Sequence, residues 1–355
     1  MMKKILKFVS LMLIAILTLV GCNSKSSTKG SGDKVLNIFT WANYVPDSVV
    51  KEYEKKTGIK VNYANFSTNE EMLSKLQAVK GGEYDVVICA DYIIQVMAKD
   101  KNVLMAPINK DNIPNFKNED PAYLDQSFDK GNKYSVPYTL GSQMIVYNPD
   151  KVKKEVTSYA DLWDSSFKSS LVLIDDPRSI IGVALRKLGY GINETDAAKL
   201  DKAKEELKKL KPNVKLFNAD TPQDSLISGD ATAGIMWGSQ ASAAVKGNPK
   251  LKIVYPSEGT TVEEDNFIIP IKAPHMKNAE NFINFMLEGK ISNETTTTTE
   301  YINTTTTAKP FMSQEYLNNK AVFIPAEDLI KAMHILDIGD TAKTYDSIWS
   351  EFKQQ

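Results

Sequence analysis

The stretch VLNIFTWANYVPDSVVKEYEKKTGIKVNYA, residues 35–64, decides the fold. VLNIFTW (35–41) reads as a strand. In PDSVVKEYEKKTG (46–58), Val49, Val50 and Tyr53 fall on one helical face, Pro46 suits the first turn and Gly58 supplies the stop. IKVNYA (59–64) reads as a second strand. The pattern then repeats. NEEMLSKLQAVKGG (69–82) spaces Met72, Leu73, Leu76 and Val79 as a helix does, and Gly81-Gly82 end it. YDVVICA (84–90) is almost continuously apolar, as a parallel strand covered on both faces must be. Strands are predicted again at QMIVYN (143–148), LVLI (171–174), AGIMW (233–237) and NFIIP (266–270). Helices are predicted at 158–163, 180–188, 196–210, 223–227 and 279–287. This alternation predicts an α/β protein with mostly parallel sheets. Two threonine patches, Thr295–Thr299 and Thr304–Thr307, are poor helix formers and read as irregular or marginally helical surface segments.

Ahead of the first strand, Lys3, Lys4 and Lys7 precede an apolar run from Phe8 to Val20, interrupted by Ser10 and Thr18. The run is shorter than the ~20 residues of a membrane-spanning helix. It suits a secretory signal better than a single-pass anchor. Leu19-Val20-Gly21-Cys22 resembles the lipobox of bacterial lipoproteins, which implies removal of residues 1–21 and lipidation of Cys22. Residues 22–33, rich in Ser, Gly, Lys and Thr, read as a flexible tether. The predicted location is extracytoplasmic, on the cell membrane, and periplasmic in a Gram-negative cell.

The chain has 355 residues, 42% hydrophobic and 25% charged, which suits one large domain or two. Without the three signal lysines, 40 basic residues face 44 acidic ones, a net charge of −4. No basic field is available for nucleic acid. With Cys22 lipidated, Cys89 is left alone in an apolar run. It reads as a core residue, and no intramolecular disulfide can form. Two distant histidines, His275 and His334, supply a transition metal poorly, so no metal or cofactor is expected.

Enzyme signatures are weak. No G-x-x-x-x-G-K-[ST] loop occurs. Ser127-Phe128-Asp129-Lys130 matches S-x-x-K and Lys56-Thr57-Gly58 matches K-T-G, but in the wrong order for penicillin-recognising enzymes. The latter is better explained as the basic last turn of a helix with its glycine terminator.

What stands at the predicted strand ends is more informative, because ligands of open α/β sheets meet strands there. These residues are Trp41 and Tyr44, Asp91 and Tyr92, Asp175 and Asp176, Trp237, and, just before NFIIP, Glu263, Glu264 and Asp265. Each has a plain structural alternative: a core tryptophan, a helix cap, a solvated acidic run. Together, rings and carboxylates without metal ligands suit an organic cation, whose ammonium groups donate charge-assisted hydrogen bonds and whose methylenes lie on aromatic faces.

At this point a resemblance enters. Residues 37–97, from NIFTWANYVP to CADYIIQVM, resemble the spermidine/putrescine-binding family of ABC importers. The likeness continues through YSVPYTLGSQMIVYN, IDDPRSIIGVALRKLGY, AGIMWGSQAS and YPSEGTTVEEDNFIIP. It implies a two-lobed type II periplasmic-binding-protein fold with two crossover strands. Lobe 1 would comprise 34–140 plus 266–308, and lobe 2 would comprise 141–265 plus 309–355. It further implies that Trp41, Tyr44 and Tyr92 flank a polyamine and that Trp237 stacks on its carbon chain. Asp176 and Asp265 would hold its amines. The implied partner is a membrane permease, and no catalytic residue is implied. Departures from the family pattern fall at Glu263, where an aromatic residue is usual, and at Ser179, where a glutamate is. Thr304 stands where a tyrosine is expected and Ile335 where a glutamine is. A lost carboxylate and a gained one leave the order of amine preference open. Other solutes, such as ferric ion or another organic cation, and a surface role without transport, remain the alternatives.

Overall fold

The structure, a computed structural model, describes residues 34–354 except Lys153. The signal, lipidation and tether assignments at 1–33, Cys22 included, lie outside the described residues. The opening segment folds as read: β1 (Val35–Thr40), α1 (Asp47–Thr57), β2 (Lys60–Asn65), α2 (Asn69–Ala78), β3 (Val86–Ala90) and α3 (Asp91–Lys99). β1 pairs in parallel with β2 on one side and β3 on the other. Val49, Val50 and Tyr53 are the buried face of α1, whose end is closed by Gly58 at φ 70° with its N–H on the Glu54 carbonyl. Pro46 stands one position before the helix, as its N-cap residue.

β4 (Ser135–Tyr147) follows, 13 residues long and buried throughout. Its first part is more than the QMIVYN reading anticipated. Then come β5 (Leu171–Leu173), α4 (Pro177–Lys187), α5 (Ala197–Leu210), β6 (Val214–Phe217), α6 (Pro222–Ile227), β7 (Ala233–Trp237), α7 (Gly238–Gly247), β8 (Lys252–Val254) and β9 (Thr261–Ile268). The chain ends with α8 (Met276–Met286), α9 (Gly289–Thr299), β10 (Ile302–Asn303), α10 (Gln314–Leu317), α11 (Ala326–Leu329), β11 (Met333–His334) and α12 (Ala342–Gln354). The predicted helix at 158–163 is a 3-10 turn, Tyr159–Trp163, capped by Ser158.

The strand order is β2-β1-β3-β9-β4-β7-β5-β6, a curled sheet that serves two lobes. β5 pairs in parallel with β6 and β7. β9, however, runs antiparallel to β3 and β4, and β4 antiparallel to β7 and β8. The sheet is therefore mixed rather than mostly parallel. Each βαβ set is parallel internally, but the two long strands that carry the chain between lobes run against their neighbours. One core gathers Leu36, Ile38, Val86, Phe267 and Phe282. Another gathers Ile145, Leu171, Leu185, Ile235 and Trp349.

Two further expectations are corrected. Glu263, Glu264 and Asp265 lie inside β9, not before it. Thr295–Thr299 form the last turns of α9, with Thr295 and Thr296 buried; Thr304 and Thr305 are buried too. Thr296 and Thr299 donate their hydroxyls to the carbonyls of Ser292 and Thr295, at 3.1 and 2.9 Å. At Thr296 the bond back to the helix satisfies the hydroxyl of a buried side chain, and packing overrides propensity.

Phe282 of α8 joins the sheet to α1: its ring meets Tyr53 edge-on at 5.1 Å and Phe267 at 6.3 Å, and it is fully buried. Phe282→Ala is expected to lower unfolding free energy by about 3–5 kcal/mol. Urea titration should show a lower midpoint at unchanged slope.

Candidate ligand-binding cleft

A cleft of about 1330 Å³ runs between the two cores. Trp41, Tyr44, Tyr92, Asp176, Trp237, Glu263 and Asp265, all seven candidates, line it. Trp41 and Tyr44 lie in the turn after β1, Tyr92 in the first turn of α3, and Trp237 at the end of β7. Asp176 is the N-cap of α4, accepting the Ser179 N–H at 2.6 Å. It therefore caps a helix and faces the cleft at once. Glu263 and Asp265 share one face of β9 because strand side chains alternate. Glu264, between them, is buried and does not line the cleft.

The rings pack edge to face. Trp41 meets Tyr44 at 5.3 Å and 80°, and Tyr44 meets Tyr301 at 5.4 Å and 85°. Tyr301 lines the cleft and escaped the sequence reading, although it opens the YINTTTTAKP segment where a tyrosine was sought three positions later. Thr304, the position under suspicion, is buried with its hydroxyl 3.3 Å from the Tyr138 carbonyl. At Gly141, opposite Glu263 on β4, an added Cβ would stand 3.1 Å from the Tyr301 ring and 3.6 Å from that of Trp237. The missing side chain lets both rings close over the strand. Glu70 was also missed: it lines the cleft and accepts the Tyr92 hydroxyl at 2.8 Å. Ile335 lines the cleft, whereas Ser179 is fully buried behind it.

Asp265 sits deepest. Its Oδ2 accepts a short hydrogen bond from the Tyr44 hydroxyl, whose oxygen also lies 2.7 Å from Thr139 Oγ1. The Tyr138 hydroxyl donates to the Tyr44 carbonyl at 2.6 Å and fixes that turn. Asp265 Oδ1 is buried with no hydrogen-bond partner. Burial lifts the Asp265 carboxyl to about 7, Tyr44's bond opposing and the Asp91 charge adding. Burial, then Asp265, Asp91, Asp176 and Glu70, push Glu263 well above the carboxylate range. Asp91 itself is fully buried, bonded to His334 Nδ1 at 3.0 Å and to the Tyr92 N–H at 2.7 Å.

Two basic side chains line the cleft, and both are engaged. Lys99 pairs with Asp337 at 2.9 Å, and Arg178 donates to Asn193 Oδ1 at 2.7 Å and to the Leu336 carbonyl at 2.9 Å. Among the described residues, no lysine or arginine forms an ion pair with Glu263, Asp265 or Asp176. The arrangement offers aromatic faces and carboxyl groups without a lysine or arginine partner, so a cationic guest with an apolar body fits it chemically.

A two-lobed α/β fold with a ligand-sized cleft across its crossing strands defines a solute-binding protein. The family described as bacterial extracellular solute-binding protein matches residues 48–324, and the chain belongs to it. The spermidine/putrescine-binding periplasmic protein of Salmonella typhimurium is 36% identical over 92% of this chain and 94% of that protein. Spermidine/putrescine-binding periplasmic protein 1 of Haemophilus influenzae is 35% identical over 99% of each. A solved structure, the spermidine/putrescine ABC transporter substrate-binding protein PotD from Streptococcus pneumoniae, superposes with a TM-score of 0.78 at 31% identity. That match covers 90% of this chain and 99% of the other.

The raised Asp265 pKa has a consequence for stability. Between the usual carboxylate pKa of ~3.9 and about 7, the unfolded chain has lost this proton while the folded one keeps it. The ligand-free protein is therefore expected to lose stability as pH rises through that window. Asp265→Asn should flatten part of the decline in urea titrations run at several pH values.

Proposed function

We propose that this protein binds a polyamine, spermidine or putrescine, outside the cytoplasm and delivers it to the permease of an ABC importer. The observation that carries the reading is the set of three carboxylates, Asp176, Glu263 and Asp265, facing one ring-lined cleft and ion-paired with no described lysine or arginine. Asp265 and Asp176 hold terminal ammonium groups. Trp41, Tyr44, Tyr92 and Trp237 cover the methylene chain, at ~0.5–2 kcal/mol for each cation–ring contact. The polyamine named in the relatives' descriptions agrees with this chemistry. Contacts from both lobes favour a closed state, which the permease recognises. The protein supplies binding and no catalytic step.

The lobes are taken as 34–140 plus 266–308 and 141–265 plus 309–355, a division supported by the separate cores. A lipid on Cys22 would hold the protein at the membrane through the 22–33 tether, after loss of residues 1–21. Among the described residues, no helix is long and apolar enough to cross a membrane.

Calorimetry on the purified protein should show spermidine or putrescine binding tighter than ~1 mM, about −4.1 kcal/mol. Failure of both to reach that level overturns the assignment. Asp265→Asn should weaken binding by about 1.5–3 kcal/mol, the scale of a hydrogen bond to a charged group.

A further inference from the structure

Glu263 stands apart from the other carboxylates of the cleft. Asp265 is held by Tyr44, and Asp176 by the Ser179 N–H. The Glu263 side chain makes no hydrogen bond or ion pair with any described residue, yet it lines the cleft on the same strand face as Asp265. Two residues along a strand span ~7 Å. That is comparable with a three- or four-carbon aminoalkyl segment. The acidic groups that face Glu263 come from every neighbouring element: Asp265 from β9, Asp91 from α3, Asp176 from the cap of α4 and Glu70 from α2. Tyr301 and Tyr92 are its neutral titratable neighbours. Asp91 is bonded to His334 Nδ1 at 3.0 Å, and among the described residues no lysine or arginine forms an ion pair with the others.

Resting on the amine-binding reading, we propose that Glu263 seats a third ammonium group between those held by Asp265 and Asp176, so that the cleft selects triamines over diamines. A diamine satisfies Asp265 and Asp176 and leaves Glu263 facing its acidic neighbours. A desolvated carboxylate without a partner is costly, so with a diamine it keeps a proton instead. A triamine brings a cation to the position, and the proton leaves to solvent. The unpartnered, buried Oδ1 of Asp265, seven per cent exposed as a residue, marks the same strand face as ligand-directed. Selectivity then comes from counting charges along β9.

Calorimetry with spermidine and putrescine tests this on the full-length protein, using Glu263→Gln. The variant should lose at least tenfold in spermidine affinity while putrescine affinity changes less than threefold. Repeating the titrations at pH 7 in buffers of different ionisation enthalpy reads the protons released. Wild type should release more with spermidine than with putrescine, and Glu263→Gln should remove the difference. Glu264→Gln, on the opposite face of the same strand, should leave both affinities in place. Equal losses for the two amines, or no loss, overturn the role of Glu263 while polyamine binding stands. Equal wild-type affinities do the same. If wild type binds neither amine, the underlying reading falls with it.

Discussion

A carboxylate placed deep in the cleft without a cation is the constraint on which the site depends. Burying an unpaired charge is unfavourable, and proteins usually avoid it by pairing or by protonation. At Asp265 the fold supplies one strong donor, the Tyr44 hydroxyl, and leaves Oδ1 open. The rest of the neighbourhood holds that donor still. Thr139 touches the same hydroxyl oxygen, Tyr138 bonds the Tyr44 backbone, and Trp41 and Tyr301 pack edge-on against its ring. Part of the surrounding structure is therefore organised to keep a charge poorly satisfied until a guest brings the opposite one.

The position of that charge links binding to conformation. Asp265 lies on β9, which pairs with β3 on one side and β4 on the other. β4 continues into the second lobe, where its later residues pair with β7 and β8. Asp176 and Trp237 approach from that second lobe, at the ends of β5 and β7. A cation held on Asp265 is drawn toward Asp176 more strongly as the lobes come together, because Coulomb attraction grows with proximity and with loss of water. A ligand shifts a two-state equilibrium only by its differential affinity for the two states. Asp265, the last residue of the stretch assigned to the second lobe, is tied to the first by the Tyr44 hydroxyl and by pairing with Ala90, whereas Asp176 caps α4 of the second; a cleft whose acidic groups are anchored to both lobes provides that difference. One with all its charges on a single lobe would bind without favouring closure.

Much of this was legible because it follows from local pattern. Helical spacing of Val49, Val50 and Tyr53, the glycine stop at Gly58 and the apolar run at 86–90 fix the first βαβ units without reference to anything distant. Strand-end aromatics and carboxylates converge because α/β topology brings strand ends together. What was missed depends on contacts remote in sequence. The acidic run 263–265 was picked out as a set of candidates but placed just before the strand rather than inside it, since three charges in a row contradict strand propensity. The alternation of β9 turns two of them toward the cleft and buries Glu264 on the other side. Tyr301 was hidden by a threonine-rich context, and only the open space above Gly141 gives its ring a place. The buried Thr296 of α9 likewise depends on its hydroxyl returning to the Ser292 carbonyl, an option propensity alone does not reveal.

Where a carboxylate is mounted matters as much as whether one is present. The sequence has serine at 179, buried behind the cleft, and glutamate at 263, on a strand hydrogen-bonded to neighbours on both sides. In the proposed closure, a side chain on α4 would move with the second lobe and reach the ligand only when that lobe does. One on β9 stays beside Asp265 throughout. The consequence is a pair of carboxyl groups at fixed spacing on one strand, in place before any closure. Under the role proposed for Glu263, recognition of how many charges the guest carries rests on the rigid strand. On the same reading, the contacts that reward closure fall to Asp176 and Trp237. Such a division separates choosing the ligand from responding to it, and it needs only the two-residue repeat of a β-strand to achieve it.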